Sequence, residues 1–291
     1  MVASSSSYGL AARAARELGW RLVIAEEKKF PDGESYVKLP SKVGGYVIVV
    51  HSIAPPQDTN FLKLLILIDA VKGAGADEVI VVVPYLAYAR QDKRFLEGEP
   101  ISVGVVLKSI ESVGADAFVT VDVHSPKSLD EWLSIPHANA MPIPELASYF
   151  KPLMKDGVVL APDKGAVERA RIAAGILGVE YDYLEKFRDR VTGEVRITPK
   201  SVDVKGRPVL IVDDIISTGG TITLASKTVL EQGAKEVYVA CTHALLVSGA
   251  LDKIYCSGVK DVVATDTVPS PISKICVAPA IIRELKKMGY K

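Results

Sequence analysis

The chain has 291 residues, 48% of them hydrophobic and 24% charged, which is enough for two ordinary domains with well-supplied cores. Lysine plus arginine balance aspartate plus glutamate, 35 against 35, so no bulk field draws nucleic acid or an anionic membrane, and any anion must be gripped by a local site. Cys241, Cys256 and Cys276 are too sparse for a disulfide framework and read as small core residues in a reducing, cytoplasmic compartment; no apolar run has the length of a membrane span, and the N-terminus lacks the pattern of a secretory signal.

In chain order, a helix is predicted over Leu10–Leu18, opened by a serine cap and closed at Gly19. Strands follow at Val47–Val50, Val79–Val83, Phe118–Val123, Val158–Leu160, Val209–Val212, Val237–Ala240 and Val262–Ala264. Most are continuously apolar, as parallel strands covered on both faces must be. Amphipathic helices at Phe61–Lys72 and Thr221–Gln232 lie between strands, and this alternation predicts an α/β fold with mainly parallel sheets. The segment Glu185–Thr198 is rich in charge, carries Thr192-Gly193 and alternates polarity, which predicts a hairpin or flap.

The chain also looks duplicated. Gly75-Ala76-x-Glu78-Val79 and Gly233-Ala234-x-Glu236-Val237 each follow a strand and an amphipathic helix and lead into another strand. Two related domains are expected, 1–143 and 144–291, with the flap 185–198 in the second.

Val209–Thr221 carries the most specific pattern: a buried strand ending in Asp213 and Asp214, then Ser217, Thr218, Gly219, Gly220 and Thr221 before a helix. Glycines let several N–H groups converge on one anion, and the helix N-terminus adds dipole and free donors. Acids at the end of a strand can accept from vicinal ribose hydroxyls. Phosphate in the loop and diol on the acids describe ribose 5-phosphate.

The other candidates are weaker one by one. Phe30-Pro31-Asp32-Gly33-Glu34 is a turn with an aromatic and two acids; Arg90 and Lys93 can grip a polyphosphate, and Gln91 an adenine or a phosphate. His124 and Asp163 stand near strand ends, where they can hold a metal, and the Asp163-Lys164-Gly165 turn can offer N–H groups to a diphosphate. Ordinary loops and turns would look much the same.

Together, in this order and spacing, these segments resemble the ribose-phosphate diphosphokinase (PRPP synthetase) family along nearly the whole chain, and its archaeal branch in particular. Val209–Thr221 by itself resembles the PRPP signature shared with phosphoribosyltransferases, so a phosphoribosyltransferase using PRPP and a non-catalytic regulatory relative are the alternatives. The resemblance implies two similar phosphoribosyltransferase-like domains, each a mainly parallel sheet flanked by helices. It implies transfer of the β,γ-diphosphate of ATP to the 1-hydroxyl of ribose 5-phosphate, Mg2+ as cofactor, and at least a dimer, with no nucleic acid or membrane partner.

It also implies roles. Phe30, Asp32 and Glu34 hold adenine and ribose, reaching in from a neighbouring subunit. Arg90, Gln91 and His124 bind ATP, and His124 and Asp163 are linked to the metal. Asp163, Lys164 and Gly165 form the diphosphate loop; Asp213, Asp214, Ser217, Thr218, Gly219, Gly220 and Thr221 bind ribose 5-phosphate. Lys186 and Arg188 match the catalytic cations of a flexible loop. Departures from bacterial and animal members are Ser217 in place of an acid, Ala166 in place of a glycine, and a less basic catalytic loop.

Overall fold

A computed structural model of the chain describes residues 1–188, 195–199 and 201–290, of which 186–188 and 195–198 are described by their backbone. The chain divides into two compact units, Met1–Met141 with Val277–Lys291, and Pro142–Cys276.

The first unit contains β1 (Val2–Ala3), α1 (Tyr8–Leu18), β2 (Val23–Ile24), β3 (Glu26–Lys29), β4 (Ser35–Lys38), β5 (Tyr46–Val50), α2 (Gln57–Gly73), β6 (Glu78–Val83), α3 (Ser102–Ser112), β7 (Ala117–Val121), α4 (Lys127–Trp132) and β8 (His137–Ala140). Its main sheet has the order β2-β1-β5-β6-β7-β8, and every pair in it is parallel. The runs Val47–Val50 and Val79–Val83 are fully buried, which explains their lack of alternation. β3 and β4 form a separate antiparallel hairpin, with β4 packed on α2.

The second unit contains α5 (Ile143–Phe150), β9 (Val158–Ala161), α6 (Val167–Leu177), β10 (Glu180–Arg188), β11 (Val195–Pro199), β12 (Pro208–Ile216), α7 (Gly220–Glu231), β13 (Glu236–Ala244), α8 (Ala250–Cys256), β14 (Asp261–Thr265) and β15 (Ser273–Ile275). Its sheet order is β11-β10-β9-β12-β13-β14-β15, parallel except where β11 runs back along β10. Its core joins Val158, Leu160, Val209, Ile211, Val237 and Val239 to Ile222, Ala225 and Val229 of α7.

Strand order establishes the duplication better than the repeated motif does. With β11 set aside, β10-β9-β12-β13-β14-β15 repeats β2-β1-β5-β6-β7-β8 in the same chain order. The Gly-Ala turn recurs a third time, at Gly114-Ala115 before β7. At all three places the glycine has positive φ, and the alanine N–H reaches back to the carbonyl five residues earlier (Val71, Ile110, Val229). This is a Schellman-type helix stop, which any helix-to-strand connection can use.

Several expectations are corrected. A final helix, α9 (Ala278–Lys287), belongs to the first unit, so the second ends at Cys276 instead of continuing to residue 291. The cause is its apolar face: Ile281, Ile282 and Leu285 are buried, and the helix packs on β7, β8 and α1. No serine side chain caps α1; its N-cap Ser7 makes no capping bond, although Gly19 closes the helix in the left-handed conformation as expected. β7 stops at Val121 instead of Val123 because buried Asp122 turns to φ 42°. β12 runs on through the two acids to Ile216. Cys241 is buried, but Cys256 is exposed.

Candidate functional site

In the second unit the two acids lie on the last part of β12, opposite β13, with Asp213 in register with Cys241. Each carboxylate accepts from the backbone N–H after it: Asp213 Oδ1 from Asp214 at 2.9 Å, Asp214 Oδ1 from Ile215 at 2.9 Å. Asp214 is buried and paired with Arg169 of α6 at 3.6 Å. The same guanidinium reaches the carbonyl of Gly165 at 3.4 Å, so one buried arginine ties the acid strand to the Asp163 turn. Burial, then the Asp214 carboxylate, then more distantly Asp163 hold the Asp213 carboxyl well above the usual carboxylate range, against the pull of the Asp214 N–H.

The loop Ser217–Gly220 then leads into α7. Gly219 has φ 76°, and a Cβ there would lie 3.1 Å from the Ala250 carbonyl oxygen and 3.2 Å from Ala250 Cβ and Ile254 Cδ1. Both its conformation and its surroundings therefore demand glycine. The Ser217 carbonyl accepts from Val247 N–H at 3.0 Å, which anchors the loop from below. No side chain caps α7 and no acid lies in its first turn; its N–H groups are left for an anion. Thr218, Gly220 and Thr221 are exposed around it.

Asp163 caps a 3-10 turn, Lys164–Ala166, by accepting from Gly165 N–H at 2.8 Å. Lys164 Nζ lies 5.7 Å from the Tyr183 ring, and Tyr183 donates to Glu185 at 2.8 Å, where β10 leaves the sheet for the flap. The described strands of that flap, β10 and β11, pair antiparallel, with Lys186 opposite Ile197 and Arg188 opposite Val195. The side chains of Lys186 and Arg188 lie outside the described residues, as do residues 189–194 entirely.

In the first unit, Phe30–Glu34 forms the tip of the β3–β4 hairpin rather than an isolated turn. Phe30 N–H donates to the Glu34 carbonyl at 2.8 Å, Glu34 N–H donates to Asp32 Oδ1 at 3.2 Å, and Gly33 takes φ 98°. Phe30 is 41% exposed, packed edge-on against Tyr36, with Lys28 Nζ over both rings. Arg90 is exposed on the loop after β6. Gln91 is turned inward: its amide donates to Glu99 at 3.1 Å and to the Lys93 carbonyl at 3.2 Å. Glu99 also accepts from the N–H groups of Leu96 and Phe95, which hold its carboxyl below the usual range. Gln91 thus braces its own loop. His124 is exposed just after Asp122. It belongs to the first unit and Asp163 to the second.

Sequence reasoning missed Arg169, Tyr183, Glu99 and the Tyr88–Asp58 pair. Tyr88 adopts φ 67° beside Arg90 and donates to Asp58, which pushes its hydroxyl pKa up to about 12. Arg169 and Tyr88 meet their acids 45 and 30 residues away, while Glu99 and Tyr183 act mainly on their own loop and strand, Glu99 on Phe95 and Leu96 and Tyr183 on Glu185. A non-glycine residue at positive φ is the kind of strain that gathers at functional sites, and it is invisible in a sequence.

A family profile described as the N-terminal domain of ribose phosphate pyrophosphokinase matches residues 1–114, and a phosphoribosyl transferase domain profile matches 148–271. A curated ribose-phosphate pyrophosphokinase from Methanopyrus kandleri is 46% identical over 99% of both chains. The chain belongs to the ribose-phosphate pyrophosphokinase family. Another member, from Methanothermobacter thermautotrophicus, is 42% identical over 98% of this chain and 99% of its own. The crystal structure of phosphoribosylpyrophosphate synthetase from Mycobacterium smegmatis superimposes with a TM-score of 0.87 at 29% identity, covering 99% of this chain and 98% of that one. The two profiles take in the hairpin, Arg90 and Gln91 on one side and the Asp163 turn, flap and Asp213–Thr221 on the other; His124 falls between them. Among the described residues no helix is long and apolar enough to cross a membrane, and no group of three or more His, Cys, Asp or Glu is placed to chelate a metal alone.

Proposed function

We propose that the chain makes 5-phosphoribosyl 1-diphosphate (PRPP) and AMP from ATP and ribose 5-phosphate. The observation that carries this is the uncapped α7 N-terminus behind Gly219, with Asp213 and Asp214 beside it and family likeness running through both units. The phosphate monoester lies on the α7 N–H groups and the hydroxyls of Ser217, Thr218 and Thr221. Asp213 and Asp214 face the sugar, and the pairing with Arg169 holds Asp214 in place. Asp163, Lys164 and Gly165 serve the diphosphate. Phe30, Asp32, Glu34, Arg90, Gln91 and His124 serve the nucleotide.

The 1-hydroxyl oxygen attacks the β-phosphorus, the bond from the β-phosphorus to the α,β-bridging oxygen breaks, and AMP leaves with that electron pair. The hydroxyl proton goes to a base; the raised proton affinity of Asp213 suits it to that task. Lys186 and Arg188 neutralise charge on the transferred group. The Asp163 carboxylate is an oxygen donor of the kind a hard divalent cation takes. Magnesium, which Asp163 would hold together with substrate oxygens, would supply charge neutralisation at the phosphates. The exposed Phe30 tip supports assembly at least into a dimer, in which the hairpin serves a neighbouring subunit.

The test is to incubate the protein with ATP, magnesium and ribose 5-phosphate and separate the products by chromatography. AMP that forms only with the sugar phosphate and matches PRPP in amount is the expected result. Absence of AMP, with and without added phosphate, overturns the assignment.

A further inference from the structure

The duplication places the loop after β1 in the same position as the diphosphate loop after β9. The two are alike in detail. Ser5–Ser7 and Lys164–Ala166 are both single 3-10 turns, each leads into a helix of 11 residues, and both helices close on a left-handed glycine, Gly19 and Gly178. The second-unit turn is charged and is open to a substrate on the reading above. Its first-unit counterpart is made of serines and already holds an anion. Glu27 of β3 accepts from Ser5 N–H at 2.7 Å and from Ser5 Oγ at 3.0 Å, and Lys63 of α2 closes the clasp at 2.7 Å.

Glu27 is the only described residue of the β3–β4 hairpin shown gripping the loop in this way. Its side chain is 10% exposed and that of Lys63 16%, so the pair is shielded from salt and water. The rest of the loop is laced from behind: Ser6 Oγ accepts from Ser52 N–H at 3.1 Å and shares a hydrogen bond with Ser4 at 2.9 Å. Glu27 is at the base of the hairpin whose tip is Phe30–Glu34. β3 pairs with β4 alone and joins neither main sheet. A two-stranded ribbon has little independent stability, so the direction of its tip depends on what holds it: the packing of β4 on α2 and the Glu27 clasp at its base.

We propose that Glu27 is a positioning residue for the nucleotide: clasped by Ser5 and Lys63, it moors the hairpin and so aims Phe30, Asp32 and Glu34. The inference rests on the nucleotide role assigned to that tip. The internal carboxylate occupies the anion-accepting turn of the first copy, and in doing so converts a phosphate-type loop into an anchor. Mooring lowers the ordering cost of ATP binding without touching the sugar phosphate loop.

The test measures KM for ATP, KM for ribose 5-phosphate and kcat in the full-length enzyme and in Glu27→Gln, Glu27→Asp, Lys63→Met and Phe30→Ala. Amide hydrogen exchange across residues 26–38 is followed in parallel. Glu27→Gln is expected to raise KM for ATP about tenfold while leaving KM for the sugar within about twofold. The 26–38 amides should exchange faster, and Glu27→Asp, which keeps the charge, should recover part of both effects. If Phe30→Ala raises KM for ATP and Glu27→Gln does not, the mooring is wrong and the role of the tip survives. If Phe30→Ala also leaves it unchanged, the tip does not serve the nucleotide and the inference falls with it. Equal loss in both KM values together with a lowered melting temperature would make Glu27 a general stabiliser and overturn the positioning role. Should Glu27→Gln fail to fold, Lys63→Met, which leaves the carboxylate on Ser5, is judged by the same split between the two KM values.

Discussion

Gly219→Ala tests whether the sugar phosphate loop is built as described. An alanine at φ 76° costs about 1–2 kcal/mol for the left-handed conformation alone. Its Cβ would also sit 3.1 Å from a backbone oxygen and 3.2 Å from two carbons of α8; overpacking of this kind adds about 1–3 kcal/mol. The sum is about 2–5 kcal/mol, measured by denaturant unfolding of the intact protein. Gly178→Ala is the matched control: it ends α6 at φ 70° with nothing within 4 Å, so it should lose only the conformational part. The difference between the two variants isolates the contact of the loop with Ala250 and Ile254. Because the strain falls on the N-terminus of α7, Gly219→Ala should also raise KM for ribose 5-phosphate well above its effect on KM for ATP. Equal stability losses in the two variants, or an unchanged sugar KM, would refute the account of the loop.

Three further outcomes are expected. Lys186→Ala should lower kcat about a hundredfold or more while ATP affinity, measured by equilibrium binding, stays within about threefold. Buried His51, whose Nε2 donates to the Asn60 carbonyl at 2.7 Å, has its pKa pushed by burial from 6.5 to about 4. The unfolded chain therefore binds the extra proton first, and the stability that neutral His51 contributes is intact above pH 6.5 and lost as pH falls towards about 4, about 3 kcal/mol in all. Melting temperature against pH should show this decline, and it should flatten in His51→Asn. Asp213 has the opposite sign: its native carboxyl holds the proton more tightly than the unfolded one, so its charge destabilises the protein progressively as pH rises above 3.8. Asp213→Asn should melt higher than the parent at neutral pH while losing turnover, and a lower melting point there would contradict the crowded-acid description.

Where the physics is local, the sequence was a sufficient guide. Val79–Val83 and Val209–Val212 are continuously apolar because both faces are covered, and each was legible as a parallel strand. Asp213 to Thr221 was legible because strand, acids, small hydroxyl residues and helix are consecutive. The hairpin strands Glu26–Lys29 and Ser35–Lys38 were not, since a charged ribbon outside the main sheet has no buried face to impose alternation. Nor could the sequence assign Ala278–Lys287 to the first unit: its apolar face announces a helix needing cover, while which sheet supplies the cover is decided by long-range packing. Arg169 and Glu27 escaped for the same reason, each meeting its partner only after the chain has folded.

The shared strand order has a consequence for stoichiometry. Two copies of one architecture offer two bays at corresponding places, one after β12 and one after β5. The bay after β12 carries acids and hydroxyls around an uncapped helix. In the bay after β5, His51, Ser52 and Ile53 are wholly buried, and the helix that follows, α2, opens behind Pro56 with the acid Asp58 in its first turn, which disfavours a second anion there. On the proposed function, each chain would then bind one equivalent of ribose 5-phosphate, the other copy serving the nucleotide.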